Sequence, residues 1–223
     1  MISKLSFLSI KTVPSLSWSS TKPLILWPKS TTLGYLILGL LLFGLGESIL
    51  IAAGVGVSPW TVLAQGVTNL TNWSIGLSTF IISGCVLLLW IPLRQIPGIG
   101  TILNVIIISA VIEFSLYYLP TTENSLLQVL YALTGVLITG IGGGIYLTAN
   151  LGTGPRDGLM TGLQRVTGAP IAWVRNGIEV LAVIVGSILG GVVGFGTLIF
   201  AFLIGPSIAL SLFILSKFVS TKS

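Results

Sequence analysis

The apolar positions of this chain neither alternate nor form a stripe; they run on. Near-continuous stretches of about twenty apolar residues, enough to cross a bilayer as a helix, occur at 33–53, 74–93, 100–119, 125–149, 169–191 and 194–216. A strand of a membrane barrel would need only about ten residues of alternating polarity. The pattern therefore predicts an all-α fold, a polytopic membrane bundle of six transmembrane helices. Two further segments are too short to cross. GVGVSPW, ending at Trp60, and GTGPRDG, starting at Gly152, each lead into a proline-headed stretch, at Pro59 and Pro155. Proline suits the first position of a helix, where its missing N–H is no loss, and Ser58 or Gly154 precedes it as a cap. These strings predict half-helices at 59–70 and 155–166. Trp60, Leu63, Val67 and Leu70 share a face of the first, Leu159, Leu163 and Val166 of the second.

The two strings are copies. Since 155 − 59 = 96, the same offset aligns residues 44–112 with 140–208 without a gap, and it pairs Gly56 with Gly152, Gly66 with Gly162, Gly98 with Gly194, Gly100 with Gly196 and Thr101 with Thr197. Repeat 1 then covers 33–119 and repeat 2 covers 125–216, flanked by a basic tail at 1–32 and a short one at 217–223. Three spans per unit is an odd number, so the second copy enters the membrane from the opposite side. That predicts a 3+3 inverted repeat, the arrangement of many secondary transporters, whose broken helices point their N-termini at the solute. Unpaired N–H groups and the positive dipole end at such a terminus suit an anion or a carbonyl.

Composition narrows the function. With 53% hydrophobic and 7% charged residues and a mean hydropathy of +1.06, the chain is far from the soluble range. It has no histidine and a single cysteine, Cys85, expected as a packed thiol. The usual zinc, haem and iron–sulfur ligand sets are therefore excluded, and no cofactor is expected. A net charge of +5 raises nucleic acid as a partner, but the basic residues line one membrane face. Lys4, Lys11, Lys22 and Lys29 precede the first span, Arg94 follows the second, Arg156 and Arg165 lie between the fourth and fifth, and Lys217 and Lys222 follow the sixth. The positive-inside rule then sets both termini in the cytoplasm and leaves no nucleic acid to bind. Residues 1–30, rich in Ser, Thr and Lys, predict a disordered cytoplasmic tail. Trp27, Trp60, Trp73, Trp90 and Trp173 fall near span ends, as interfacial aromatics do.

GVSPWTVLAQG (Gly56 to Gly66), IPLRQIPGIGT (Ile91 to Thr101), LGTGPRDGLMTGL (Leu151 to Leu163), then Arg175, Glu179 and GGVVGFGT (Gly190 to Thr197) resemble the YitT/YczE-like multispanning membrane proteins of bacteria. The resemblance covers almost everything from the first span to the sixth. It implies a multi-pass protein of the plasma (inner) membrane, of a kind often described as a permease.

Ionisable groups at bilayer depth are costly unless paired, and so are functional candidates. Arg175 and Glu179, four apart on one helical face, predict an ion pair that either builds a site or locks the fifth span. Arg156 and Asp157 open the second half-helix, where the carboxylate suits the dipole and the guanidinium an anion. The first copy has Trp60 and Thr61 there. With Gly152, Gly154 and Pro155 on one side and Gly56 and Pro59 on the other, these residues form the expected substrate site. Glu47 and Glu113 are candidate ion or proton groups, or solvated residues near the boundary. Gly186, Gly190 and Gly194, spaced by four, predict tight helix contact. GTGPRDG lacks the lysine of a phosphate-binding loop, so energy would come from an ion gradient or a partner subunit. The leading function is a secondary transporter or permease for a small solute, an anion among the options. The partners would be the bilayer and that solute, with a homo-oligomer left open. A non-transporting scaffold or assembly factor is one alternative. An integral-membrane enzyme acting on a lipid or headgroup is the other, with Asp157 and Arg156 but no histidine partner for catalysis.

Overall fold

The computed structural model describes residues 13–219, which form eight α-helices and no strand. They are α1 Ser30–Ala52, α2 Pro59–Thr71, α3 Ile75–Trp90, α4 Ile99–Tyr118, α5 Ser125–Thr148, α6 Pro155–Thr167, α7 Ile171–Ile188 and α8 Phe195–Phe218. Lys4, Lys11 and Lys222, which contribute to the charge pattern, lie outside the described residues. Local chemistry sets the boundaries. Pro59 and Pro155 head α2 and α6, while Asn72 and Gly168 end them in the left-handed conformation that closes a helix. Ser74 accepts a hydrogen bond from the Leu77 N–H to cap α3, and Asn124 accepts from Leu126 and Leu127 to cap α5.

The bundle has two parts. Helices α1, α4, α5 and α8 pack as one group and α2, α3, α6 and α7 as another, joined mainly where α3 runs along α4. Small residues bring the helices together, as is usual where lipid offers no hydrophobic drive. A Cβ at Gly39 of α1 would lie 2.5 Å from the Tyr146 amide nitrogen of α5. One at Gly186 would lie 2.5 Å from the Leu63 nitrogen, which accounts for the α2–α7 contact. Gly186 and Gly194 thus serve the close approach that their spacing predicts, whereas Gly190 forms the turn after α7 at φ 89°.

The 96-residue offset recurs throughout. It relates the starts of α2 and α6, α3 and α7, and α4 and α8. The residues with positive φ fall into four pairs at this offset: Gly54 with Asn150, Gly56 (109°) with Gly152 (111°), Asn72 with Gly168 and Arg94 with Gly190. Core residues follow it too, with Leu36, Leu40 and Ile108 in one cluster and Ala132, Val136 and Ile204 in another. The Gly100 N–H donates to the Leu151 carbonyl at 2.8 Å, and the Gly196 N–H donates to the Val55 carbonyl at 2.7 Å. Each half therefore grips the other by the same bond, as in a two-fold interface.

Six spans are expected, and five or six are present: α1, α4, α5, α7 and α8 are each long and apolar enough to span a membrane, and α2 with α3 makes a sixth where the pair, bent by 112°, counts as one broken span. Its longer part is the sixteen-residue α3, about 24 Å long at 1.5 Å per residue. Other expectations need correction. Residues 13–29 are not a disordered tail. Leu16 and Trp18 are buried, the Trp18 Nε1–H donates to Thr148 Oγ1 at 3.2 Å, and its ring stacks on Tyr35. The two apolar side chains anchor a segment whose Ser/Thr content reads as solvated. Cys85 is exposed on α3 rather than packed. Trp60 and Trp90 are buried rather than interfacial, because both belong to the interior contacts of the half-helices.

Candidate functional site

The half-helices α2 and α6 meet head to head. A cavity of about 400 Å³ lies between them, lined by Pro59 and Trp60 from one and by Gly154, Pro155, Arg156 and Asp157 from the other. Facing them are Thr79 and Ser83 of α3, Asn104 of α4, Tyr146 of α5, Arg175 and Glu179 of α7, and an apolar wall from α8 that includes Phe200 and Ile204. The Trp90 Nε1–H donates to the Pro155 carbonyl at 3.0 Å and holds the head of α6. The ring lies where a side chain at Gly158 would be, so that position admits only glycine.

Each half-helix N-terminus carries a carboxylate, as its dipole favours. At α6 it is Asp157, whose Oδ2 accepts from the Tyr146 hydroxyl at 3.1 Å. At α2 it is Glu47 from α1, whose Oε2 accepts from Ser58 Oγ and Thr61 Oγ1, both at 2.8 Å. Thr61 and Asp157 are themselves equivalent under the 96-residue offset. Glu47 is 1% exposed, and its Oε1 has no hydrogen-bond partner. The Arg156 guanidinium carbon sits 5.3 Å from the centre of the Trp60 ring, a cation–π contact that bridges the two helix heads. Glu47, Asp157 and Glu179 all bear on it electrostatically, yet among the described residues it makes no hydrogen bond and no ion pair. Its N–H donors are thus unpaired beside a cavity whose lining also holds the Asp157 and Glu179 carboxylates. Arg175 Nε donates to Glu179 Oε1 at 3.0 Å, the expected pair on α7.

The sequence-derived candidates separate accordingly. Arg156, Asp157, Arg175, Glu179, Gly154, Pro155 and Pro59 come together around the cavity. Glu47 stands behind the head of α2, buried rather than solvated. Gly56 and Gly152 are away from the lining. A Cβ at Gly56 would meet the Gly194 nitrogen at 2.5 Å and one at Gly152 the Thr101 hydroxyl at 2.7 Å, so their role is close backbone approach at positive φ. Glu113 is exposed and lies against Gly76 across the α3–α4 contact. Tyr146 and Asn104 escaped sequence reasoning. Both stand over the cap residue Gly154, where a Cβ would be 3.5 Å from the Tyr146 hydroxyl and 3.4 Å from Asn104 Nδ2. A polar residue in an otherwise apolar span was the one available signal.

One side of the cavity is open. Gly76 of α3 fits against the Ser109 carbonyl and Glu113 of α4. The equivalent residues are Ala172 of α7 and Gly205 and Ala209 of α8, and α7 has no substantial packing contact with α8. Nothing lies within 4 Å of a Cβ placed at Gly205, which lines the cavity together with Ala209.

Comparison with known proteins places the chain in a family. Residues 30–212 match a family of unknown function (DUF6198). An uncharacterized protein of Haemophilus influenzae is 37% identical over 93% of this chain and 94% of its own length. The uncharacterized membrane protein YczE of Bacillus subtilis is 33% identical over 78% of this chain and 82% of its own. No solved structure matches. This multi-pass helical membrane protein belongs to the DUF6198 family, which is YczE-like.

Proposed function

We propose that the protein is a permease that moves a small anionic solute by alternating access, with the solute held between the heads of α2 and α6. The observation that carries this reading is Arg156. An arginine in a membrane interior without hydrogen bond or ion pair is costly; one facing a cavity at two helix N-termini is a half-built anion site. Asp157, Arg175 and Glu179 shape the field around it, and Asn104 and Tyr146 offer polar contacts for the rest of the solute. A scaffold protein has no need of such a cavity.

The paired elements, the four positive-φ pairs and the reciprocal Gly100 and Gly196 bonds support two equivalent units of three spans, repeat 1 over 33–119 and repeat 2 over 125–216. With an odd number of spans these are inverted, and the arginines then set both termini in the cytoplasm of a plasma-membrane protein. In that orientation the gap between α7 and α8 faces the cytoplasm and the closed α3–α4 contact faces outward. Glu47 is the candidate ion or proton group, since a buried carboxylate with one free oxygen at the head of α2 changes the field on Arg156 when it changes charge.

The test is uptake into proteoliposomes of labelled formate, lactate, sulfate and phosphate under an imposed pH gradient. Saturable uptake of one of them, lost in Arg156→Gln, is the expected result. Uptake of none, with no thermal stabilisation by any of the four, would leave the scaffold in its place.

A further inference from the structure

A second cavity, of about 540 Å³, lies at the end of the bundle where the segment 13–24 folds over the α3–α4 loop. Trp90, Leu147, Asn150, Arg94, Gln95 and Arg165 are among its lining residues, and the lining contains no acidic residue. Leu147 and Thr153 also line the central cavity, so a thin partition separates the two. Neither Arg94 nor Arg165 has a hydrogen bond or ion pair from its guanidinium among the described residues. The Gln95 Nε2 amide is buried without a partner.

The other half of the molecule supplies an internal control. By the 96-residue offset Arg94 and Gln95 correspond to Gly190 and Gly191, and Arg165 corresponds to Asn69. There the contact is neutral and closed, the Asn69 Nδ2–H donating to the Gly190 carbonyl at 2.8 Å. Here the same two positions carry two like charges that line one cavity. Arg94 moreover adopts φ 51°, a conformation easy for the glycine of the equivalent loop and unfavourable for arginine. The backbone of such a loop therefore needs neither arginine. The positive-inside rule asks for basic residues on this face, but not for two of them lining one cavity without acid. Both side chains are exposed, so water screens them, and an anion between them removes the repulsion that remains.

We propose that this cavity binds a phosphate-bearing anion, gripped by the Arg94 and Arg165 guanidiniums. A phosphate presents more acceptor oxygens and more negative charge to two planar guanidinium forks than a single carboxylate does. The phosphate is free in solution or belongs to an anionic lipid headgroup reaching the same pocket. The site is distinct from the central one and does not depend on transport.

The experiment uses the full-length protein, as wild type, Arg156→Gln, and the double variant Arg94→Gly with Arg165→Asn, which copies the neutral equivalent loop and so should fold. Thermal unfolding is measured in micelles with inorganic phosphate against chloride of equal ionic strength, and in nanodiscs of phosphatidylglycerol against phosphatidylcholine. At phosphate about tenfold above its dissociation constant the midpoint should rise by roughly 3 °C. Wild type and Arg156→Gln should both respond and the double variant should not. A response to phosphatidylglycerol alone, again absent from the double variant, identifies the headgroup as the source. An undiminished response in the double variant, loss of the response in Arg156→Gln, or no response to either phosphate source would each overturn the proposal.

Discussion

Where α3 runs along α4, Gly76 lies against the Ser109 carbonyl and Glu113, and Ile75 packs on a buried cluster that includes Ile112. Between α7 and α8 there is no substantial packing contact: the equivalent Ile171 is 41% exposed, Ala172 is exposed, and nothing lies within 4 Å of a Cβ placed at Gly205. The two seams are built from equivalent positions, and the small residues that allow one to close are present at the other. The bonds that tie the halves together elsewhere, from Gly100 and from Gly196, are nearly equal in length. The difference between the seams is therefore one of arrangement and not of connectivity. Under the proposed alternating-access function, the second state exchanges the roles of the two seams.

The strongest challenge to this comparison is to overfill each seam. A Cβ at Gly76 would stand 2.5 Å from Glu113 Oε2 and 2.7 Å from the Ser109 carbonyl. Gly76→Leu should cost about 3 kcal/mol, at the upper end for overpacking, or force the seam apart. Ala172→Leu on the open side should change stability by less than about 0.5 kcal/mol. Unfolding titrations of the two variants check this, and equal costs would show that the seams are not packed differently.

The next contrast concerns the carboxylates. Glu47→Leu removes the acceptor for Ser58 and Thr61 and should cost about 2 kcal/mol, because buried hydroxyls lose their partner. Glu113→Leu, at an exposed position, should be within about 0.5 kcal/mol of wild type in the same titration. At the cavity itself, Arg156→Gln should weaken binding of the transported anion about tenfold, or ~1.4 kcal/mol, with thermal stability retained; calorimetry with the solute found in the uptake assay reads both. The smallest effect belongs to Arg175→Gln. That residue is 48% exposed and its i,i+4 pair with Glu179 is screened, so the loss should be about 0.3–0.5 kcal/mol.

Sequence pattern reached the half-helices because proline and glycine act locally. Pro59 and Pro155 start a helix whatever surrounds them, and the 96-residue offset marks their equivalence. It also reached Arg156, Asp157, Arg175 and Glu179, since charge in an apolar chain is conspicuous. Tyr146 and Asn104 were hidden because nothing in a uniformly apolar helix says which face looks inward. Trp60 and Trp90 misled for a related reason: an aromatic near a span end suits either an interface or a core, and contacts with Arg156 and Pro155 decide the matter. The open seam could not be read at all. Both seams carry small residues at equivalent positions, so the pattern of residues does not say which of α3–α4 and α7–α8 is closed.

The exchange of seams is tested most directly by the distance between Ala172 and Ala209, the counterparts of Gly76 and Glu113. Spin labels at these two positions, in a Cys85→Ser background and in nanodiscs, allow that distance to be measured by double electron–electron resonance. Exchange of the seams requires two populations, a long distance for the open α7–α8 seam and a short one for the closed seam, with their ratio shifted by the transported solute. A single long distance, unchanged by the solute in a protein that still transports it, would contradict the account.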